Sequence, residues 1–174
     1  NNSFFQASLR GDIEILPDVT LTSVTAYSKL KQNERISWDG TALPEQLYDP
    51  EIGNIRSLYQ ELRLSNGNAG AFRWTIGGNY QDDKIYQYSF YKWHTASTAI
   101  GLGLFDNGQN IFYVNQKTKS KAAFANLEYD IVPQITAKGG IRYTKSRLST
   151  NNCGADITPP YPLGELFYGA GNYT

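Results

Sequence analysis

The chain has 174 residues with 16 basic and 16 acidic side chains, one His, one Cys and a formal net charge of zero. That leaves room for one ordinary domain, with no basic footprint for a nucleic-acid backbone, no internal disulfide framework and no Cys or His cluster for a metal. A 14% aromatic share, 16 Gly and a hydrophobic fraction of 40% favour extended structure with many turns over helices and disfavour disorder.

The first residues, Asn1-Asn2-Ser3, carry neither a basic nor an apolar export region, and Tyr168 to Thr174 reads as loop. The expectation is a segment cut from a larger protein. No apolar run approaches the about 20 residues of a spanning helix, so any membrane crossing must use another element.

Period two dominates from the start. Phe5, Ala7, Leu9, Gly11, Ile13 and Ile15 alternate with Gln6, Ser8, Arg10, Asp12 and Glu14, which places an oily and a charged face on one strand. Leu16-Pro17-Asp18 ends it, since Pro offers no amide hydrogen and Asp favours turns. A second extended run follows from Val19 to about Gln32. A third spans Ile55 to Ser65, with Leu58, Leu62 and Leu64 against Tyr59, Glu61 and Arg63, and Asn66 to Gly70 turns it.

From Phe72 the alternation restarts: Phe72, Trp74, Ile76, Gly78 and Tyr80 oppose Arg73, Thr75, Gly77, Asn79 and Gln81. A fifth run sets Ala123, Ala125, Leu127, Tyr129 and Ile131 against Phe124, Asn126, Glu128 and Asp130, then turns at Val132-Pro133. Asp106-Asn107-Gly108 reads as a hairpin tip, so this fifth strand is expected to begin near Asn110. The sixth opposes Ile135, Ala137, Gly139, Ile141 and Tyr143 to Thr136, Lys138, Gly140, Arg142 and Thr144.

Strands one and two, three and four, and five and six join through short turns, whereas the joins near Asn33 to Asn54 and Gln87 to Gln116 are long. An antiparallel meander with tight turns at one end and long loops at the other is the pattern of an outer-membrane barrel. Strands of about 11 to 16 residues exceed the usual length of soluble strands and suit a tilted crossing of a bilayer. On the three rising strands the outward residue eight positions after the turn is Tyr27, Tyr80 and Tyr143. Tyr belongs at a membrane interface, with its ring in lipid and its hydroxyl among headgroups. The descending strands contribute only Phe5 at that level.

Leu21 to Tyr27, Tyr59 to Ser65, Trp74 to Tyr80, Ala122 to Tyr129 and Gly139 to Thr144 resemble, in order and spacing, successive barrel strands of TonB-dependent outer-membrane receptors. The resemblance covers residues 19 to 147; no piece is specific alone. It implies a 22-stranded barrel plugged by an N-terminal domain. Such a receptor imports a scarce ligand (a ferric siderophore, cobalamin or an oligosaccharide) with energy delivered by a TonB-type protein. It further implies that residues 1–174 form part of the barrel, that the plug and the TonB-contacting segment lie elsewhere in the parent protein, and that the outer face meets outer-membrane lipid.

Arg10, Glu61, Arg63, Arg73, Glu128, Lys138 and Arg142 fall on the polar face. A ligand or plug contact is the functional reading; mutual pairing in a wet lumen is the plainer one, because barrel interiors are routinely polar. Asp82 and Asp83 are adjacent, so they point to opposite faces and are no acid/base pair. Tyr91, Trp93 and His94 stand in the second long join, where rings could stack on a planar catechol or a sugar, or be incidental loop residues. Cys153 reads as an external-loop residue suited to a disulfide with a partner beyond Thr174, or as a free thiol. No Ser or Cys has a local base, so there is no catalytic candidate. Gly101-Leu102-Gly103 neither follows a strand nor opens a helix, so it is no nucleotide fingerprint.

The expected fold is therefore an all-β, antiparallel up-and-down transmembrane β-barrel fragment of about six long strands. The expected function is ligand capture and import by a TonB-dependent receptor, without enzymatic activity, cofactor, metal or nucleic-acid partner. Two rivals stay open: a complete eight-stranded adhesin or structural barrel, and a soluble carbohydrate-binding β-sandwich.

Overall fold

A computed structural model describes residues 1–37, 46–67, 70–93 and 109–157. They form six strands: β1 (Ser3–Leu16), β2 (Val19–Ser37), β3 (Gln46–Asn66), β4 (Phe72–Trp93), β5 (Gln109–Val132) and β6 (Ile135–Asp156). All six lie in one sheet in the order β1-β2-β3-β4-β5-β6, each antiparallel to the next. This is an up-and-down meander whose β1 and β6 edges are unpaired among the described residues. A sandwich would need a second sheet over one face; the described strands make one.

The short turns form where expected. Pro17-Asp18 links β1 to β2 with Asp18 at φ 63°, a left-handed conformation that Asp tolerates in turns. The amide of Gly67 donates to the Asp18 carbonyl at 2.6 Å, which ties the first turn to the second.

The strands run longer than the alternation suggested. β2 continues past Gln32 to Ser37, β3 begins at Gln46 and not Ile55, and β4 and β6 extend to Trp93 and Asp156. Much of each long join is thus paired strand, with Asn33 opposite Ile52 and Tyr88 opposite Tyr113. The ladder slips between Tyr48 and Glu51, where Pro50 has no amide to offer.

Register fixes height as well as face. Tyr27 stands opposite Leu58, Leu58 opposite Asp82, Asp82 opposite Lys119 and Lys119 opposite Arg147. Tyr80 lies two residues below that rung on β4, and Tyr143 four below it on β6. The short turns step in the same way, since β2, β4 and β6 open at Val19, Phe72 and Ile135, each eight residues before its Tyr. The three Tyr therefore lie on a line parallel to the turns. A step of two residues, about 6.6 Å, for every two strands, about 9.6 Å, is a tilt of roughly 35°, which a closed barrel requires.

Leu47 is the one buried apolar side chain among the described residues, whereas Leu9, Ile141 and Tyr143 are 75%, 74% and 70% exposed. Between the short turns and the tyrosine line one sheet face thus carries bare hydrocarbon, and among the described residues no packed core forms behind it.

Candidate functional site

Alternation and register put Arg10, Glu61, Arg63, Arg73, Glu128, Lys138 and Arg142 on one face. The sheet curves toward it. Arg10 on β1 and Arg73 on β4, three strands apart, line one hollow of about 800 Å³ together with Asp12, Thr22, Arg63 and Glu128. On a flat sheet these side chains would stand parallel and enclose nothing. Arg142 on β6 reaches across β5 to donate to Asn79 Oδ1 on β4 at 2.8 Å, and its guanidinium lies 5.7 Å from the centre of the Phe124 ring.

The charges within this concavity pair with one another. Arg73 makes a fork to Asp130, and its Nε lies 3.4 Å from Glu128 Oε2, which Lys138 Nζ approaches to 3.1 Å. Arg10 holds Asp12 at 2.8 Å, and Thr22 donates to the same carboxylate at 2.6 Å. Glu61 sits 3.6 Å from Arg63 and accepts a hydrogen bond from the Tyr59 hydroxyl. Among the described residues Glu61 pairs with Arg63 and not with Arg73. Arg10, Arg63, Arg73, Glu61, Glu128 and Lys138 thus all have partners, and Arg142 has an amide and a ring.

Higher on the same face the strands bring together rings that lie far apart in sequence. Tyr91 stands opposite Tyr48 with ring centroids 4.2 Å apart, and its other edge meets Phe112 at 5.1 Å. Burial first, then a hydrogen bond with Tyr91, holds the Tyr48 phenol well above the ordinary phenol range. One strand pair below, Glu51 is 7% exposed; Gln87 donates to its Oε1 at 2.7 Å, and its Oε2 has no partner among the described residues. Tyr48, Phe112 and Glu51 gave no local signal in the sequence, because only the register between β3, β4 and β5 joins them to Tyr91. His94 and the side chain of Trp93 lie outside the described residues, as do Asp106 to Gly108 and Gly101 to Gly103.

Tyr27, Tyr80 and Tyr143 stand on the opposite, apolar face, and Phe5 lies 6.4 Å from Tyr27, ring to ring. Asp82 and Asp83 divide between the faces: Asp83 accepts from Ser57 and Gln81 on the concave side, and Asp82 from Tyr80 on the other. Cys153 differs from expectation. It lies within β6 opposite Tyr113, not in a loop, because pairing with β5 continues to Asp156. Its thiol is exposed and free among the described residues.

No protein-family model matches the chain, and no curated protein matches it. Among solved structures, it is similar to the ferric yersiniabactin uptake receptor FyuA from Yersinia pestis, with a TM-score of 0.70 and 16% identity over 90% of this chain and 22% of that one. The siderophore receptor PiuA from Acinetobacter baumannii aligns with a TM-score of 0.44 and 9% identity over 92% of this chain and 30% of that one. The chain spans less than a third of either length. At this identity the likeness to FyuA is one of fold: the six-stranded sheet has the fold of a section of a receptor β-barrel.

Proposed function

We propose that this chain is part of the barrel of a TonB-dependent receptor in the bacterial outer membrane. The receptor imports a scarce ligand of the ferric siderophore, cobalamin or oligosaccharide class. One observation carries the reading: a single curved sheet, built like a section of an uptake-receptor barrel, presents bare hydrocarbon outward and paired charges inward. A wall with that partition is stable where lipid covers one side and water or a plug domain fills the other.

In this reading the hollow around Arg10, Arg63 and Arg73 faces the plug of the same protein. The Tyr48, Tyr91 and Phe112 cluster stands nearer the outer mouth, where aromatic rings can stack on a ligand. Energy comes from a TonB-type partner through a segment outside these residues. Binding and passage, not bond chemistry, are the work performed.

The test uses the intact parent receptor in Gram-negative cells, supplied in turn with radiolabelled ferric chelates, cobalamin and oligosaccharides. The proposal expects uptake of at least one class that a protonophore abolishes. Uptake of none of them, or uptake indifferent to the protonophore, contradicts it.

A further inference from the structure

The concave face divides by charge as the strands rise. Arg10 and Glu61 share a rung through Val24. At that rung and below it, Asp12, Glu61, Glu128 and Asp130 each hold an Arg or Lys. Above it, the described side chains at inward positions of β1 to β6 include Glu34, Glu51 and Asp83 and neither Lys nor Arg. Neutral donors alone reach these three carboxylates. Asp83 accepts from Ser57 and Gln81, Glu34 from Gln32 and Asn2, and Glu51 from Gln87. Arg35, in the slip between Glu34 and Ile36, and Lys92 both turn to Asp49, at 3.4 and 3.6 Å. None of the three acids therefore takes part in an ion pair among the described residues.

Glu51 carries the greatest cost. It is 7% exposed, and its Oε2 is buried without a partner among the described residues. A carboxylate withdrawn from water without a counter-charge is destabilising, and Glu34, of the same sign, stands directly opposite on β2. Rings complete the surroundings. Glu34, Glu51, Ser89 and Phe112 form one rung across four strands, and Tyr48 and Tyr91 face each other on the next inward rung up. Burial and Tyr91 raise the Tyr48 phenol first and the Glu51 charge adds to them, so carboxylate and rings share one neighbourhood.

Aromatic faces attract cations, and a desolvated carboxylate beside them strengthens that attraction. Among the described residues no three His, Cys, Asp or Glu side chains stand close enough to hold one metal ion, so the fit is to an organic cation whose apolar part lies on the rings. We propose that the Glu51 carboxylate, beside Tyr48, Tyr91 and Phe112, receives an ammonium or guanidinium group of the imported ligand. The exposed Gln87 amide holds Oε1 until a charged donor takes its place. Glu34 and Asp83 add a field of one sign that concentrates cationic ligands in the upper lumen, and a polyanionic chelate meets like charge there. The proposal rests on the receptor reading and narrows its ligand class to molecules that carry a positive group.

The experiment measures binding to the intact receptor in outer-membrane vesicles without an energy source. Its probes are two matched pairs that differ in whether an amine is charged: a ferric trihydroxamate with a free terminal ammonium against its N-acetylated form, and a glucosamine oligosaccharide against the N-acetylglucosamine oligosaccharide of equal length. A ferric triscatecholate supplies the polyanion, and cobalamin a ligand without an ammonium group. In any pair the receptor accepts, the ammonium form should bind about tenfold or more tighter than the acetylated form. Glu51→Gln should bring the ammonium form down to the affinity of the acetylated one and leave the latter unchanged, whereas a merely structural role would weaken both alike. Glu14→Gln, beside the first short turn, should leave both as in the parent. Heat-modifiable mobility on gels confirms that each variant is a folded barrel; if Glu51→Gln is not, Glu34→Gln must narrow the preference about threefold.

Equal binding within every accepted pair, a preference undiminished in folded Glu51→Gln or in its Glu34→Gln substitute, tighter binding of the triscatecholate than of the ammonium chelate, or binding of cobalamin alone overturns the proposal and leaves the receptor reading standing. A parent protein absent from the outer membrane would instead overturn the reading on which it rests.

Discussion

Arg73 and Asp130 make a two-pronged contact across the β4–β5 pair, Nη1 to Oδ2 at 2.6 Å and Nη2 to Oδ1 at 2.7 Å. Each belongs to the end of its strand beside a short turn, and Thr136 on β6 donates to the same carboxylate at 2.7 Å. Three strands are thereby fastened at the level where the hairpins reverse. Fork geometry of this kind adds direction to the charge attraction.

Replacing Arg73 with Leu leaves Asp130 and Glu128 without their shared cation. The expected outcome is a folded barrel that loses heat-resistant mobility a few degrees below the parent. Arg73→Lys should recover only part of that loss, because a point charge cannot reproduce the fork. A temperature series on semi-native gels of the intact receptor measures both.

Gly77 is a close-approach position. A Cβ there would stand 2.7 Å from the Leu62 carbonyl oxygen and 2.8 Å from the Phe124 ring, which lies over the glycine beneath the Arg142 guanidinium. Gly77→Val should therefore lower the amount of folded receptor recovered from outer membranes severalfold. Adding Phe124→Ala should restore part of the yield, since the ring then no longer fills that space, although the Leu62 carbonyl remains close.

Ile76 and Thr75 are neighbours on β4 that face opposite ways, and Ile76 is midway between Phe72 and Tyr80. On the proposed membrane reading, Lys at Ile76 should cost about 2–4 kcal/mol of barrel stability, the penalty of a cation near the bilayer mid-plane. Lys at Thr75, beside the polar hollow, should cost less than about 1 kcal/mol. Equilibrium unfolding in lipid vesicles reads the difference.

On the proposed receptor reading, the Tyr48, Tyr91 and Phe112 cluster gives a fourth expectation. Tyr91→Ala removes the central ring of three and should raise the ligand concentration for half-maximal uptake by about tenfold, with maximal rate little changed. Tyr91→Phe should preserve uptake if stacking governs capture. A concentration series with whichever radiolabelled ligand the cells import measures this.

The lower half of the sheet was legible in the sequence and the upper half was not, for one reason. Between the turns and the tyrosine line, outward positions such as Leu9, Ile76 and Ile141 are apolar and inward ones such as Arg10, Thr75 and Arg142 are polar, so period two is plain. Above the line the outward positions become Lys29, Lys84 and Lys117. The inward face there carries Leu30, Ile55 and Ile85 beside Gln32, Ser57 and Gln87, so apolar and polar side chains mix on it, and the simple oily-out, polar-in alternation vanishes although the pairing continues. The alternation accordingly stops near Gln32 and Ile55, although the strands continue to Ser37 and from Gln46, and it gives no sign that Cys153 belongs to β6 and not to a loop. The ring cluster escaped because Tyr48, Tyr91 and Phe112 meet only through register.

The facing of the wall is the claim on which the rest depends, and lipid-phase quenching tests it most directly. Single cysteines at Leu9, Arg10, Ile141 and Arg142, in an intact receptor carrying Cys153→Ser, are labelled with a small fluorophore and placed in vesicles with spin-labelled acyl chains. The account predicts strong quenching from positions 9 and 141 and little from 10 and 142, which should respond instead to an aqueous quencher. Quenching by the acyl chains at 10 and 142, or equal quenching at all four, would contradict it.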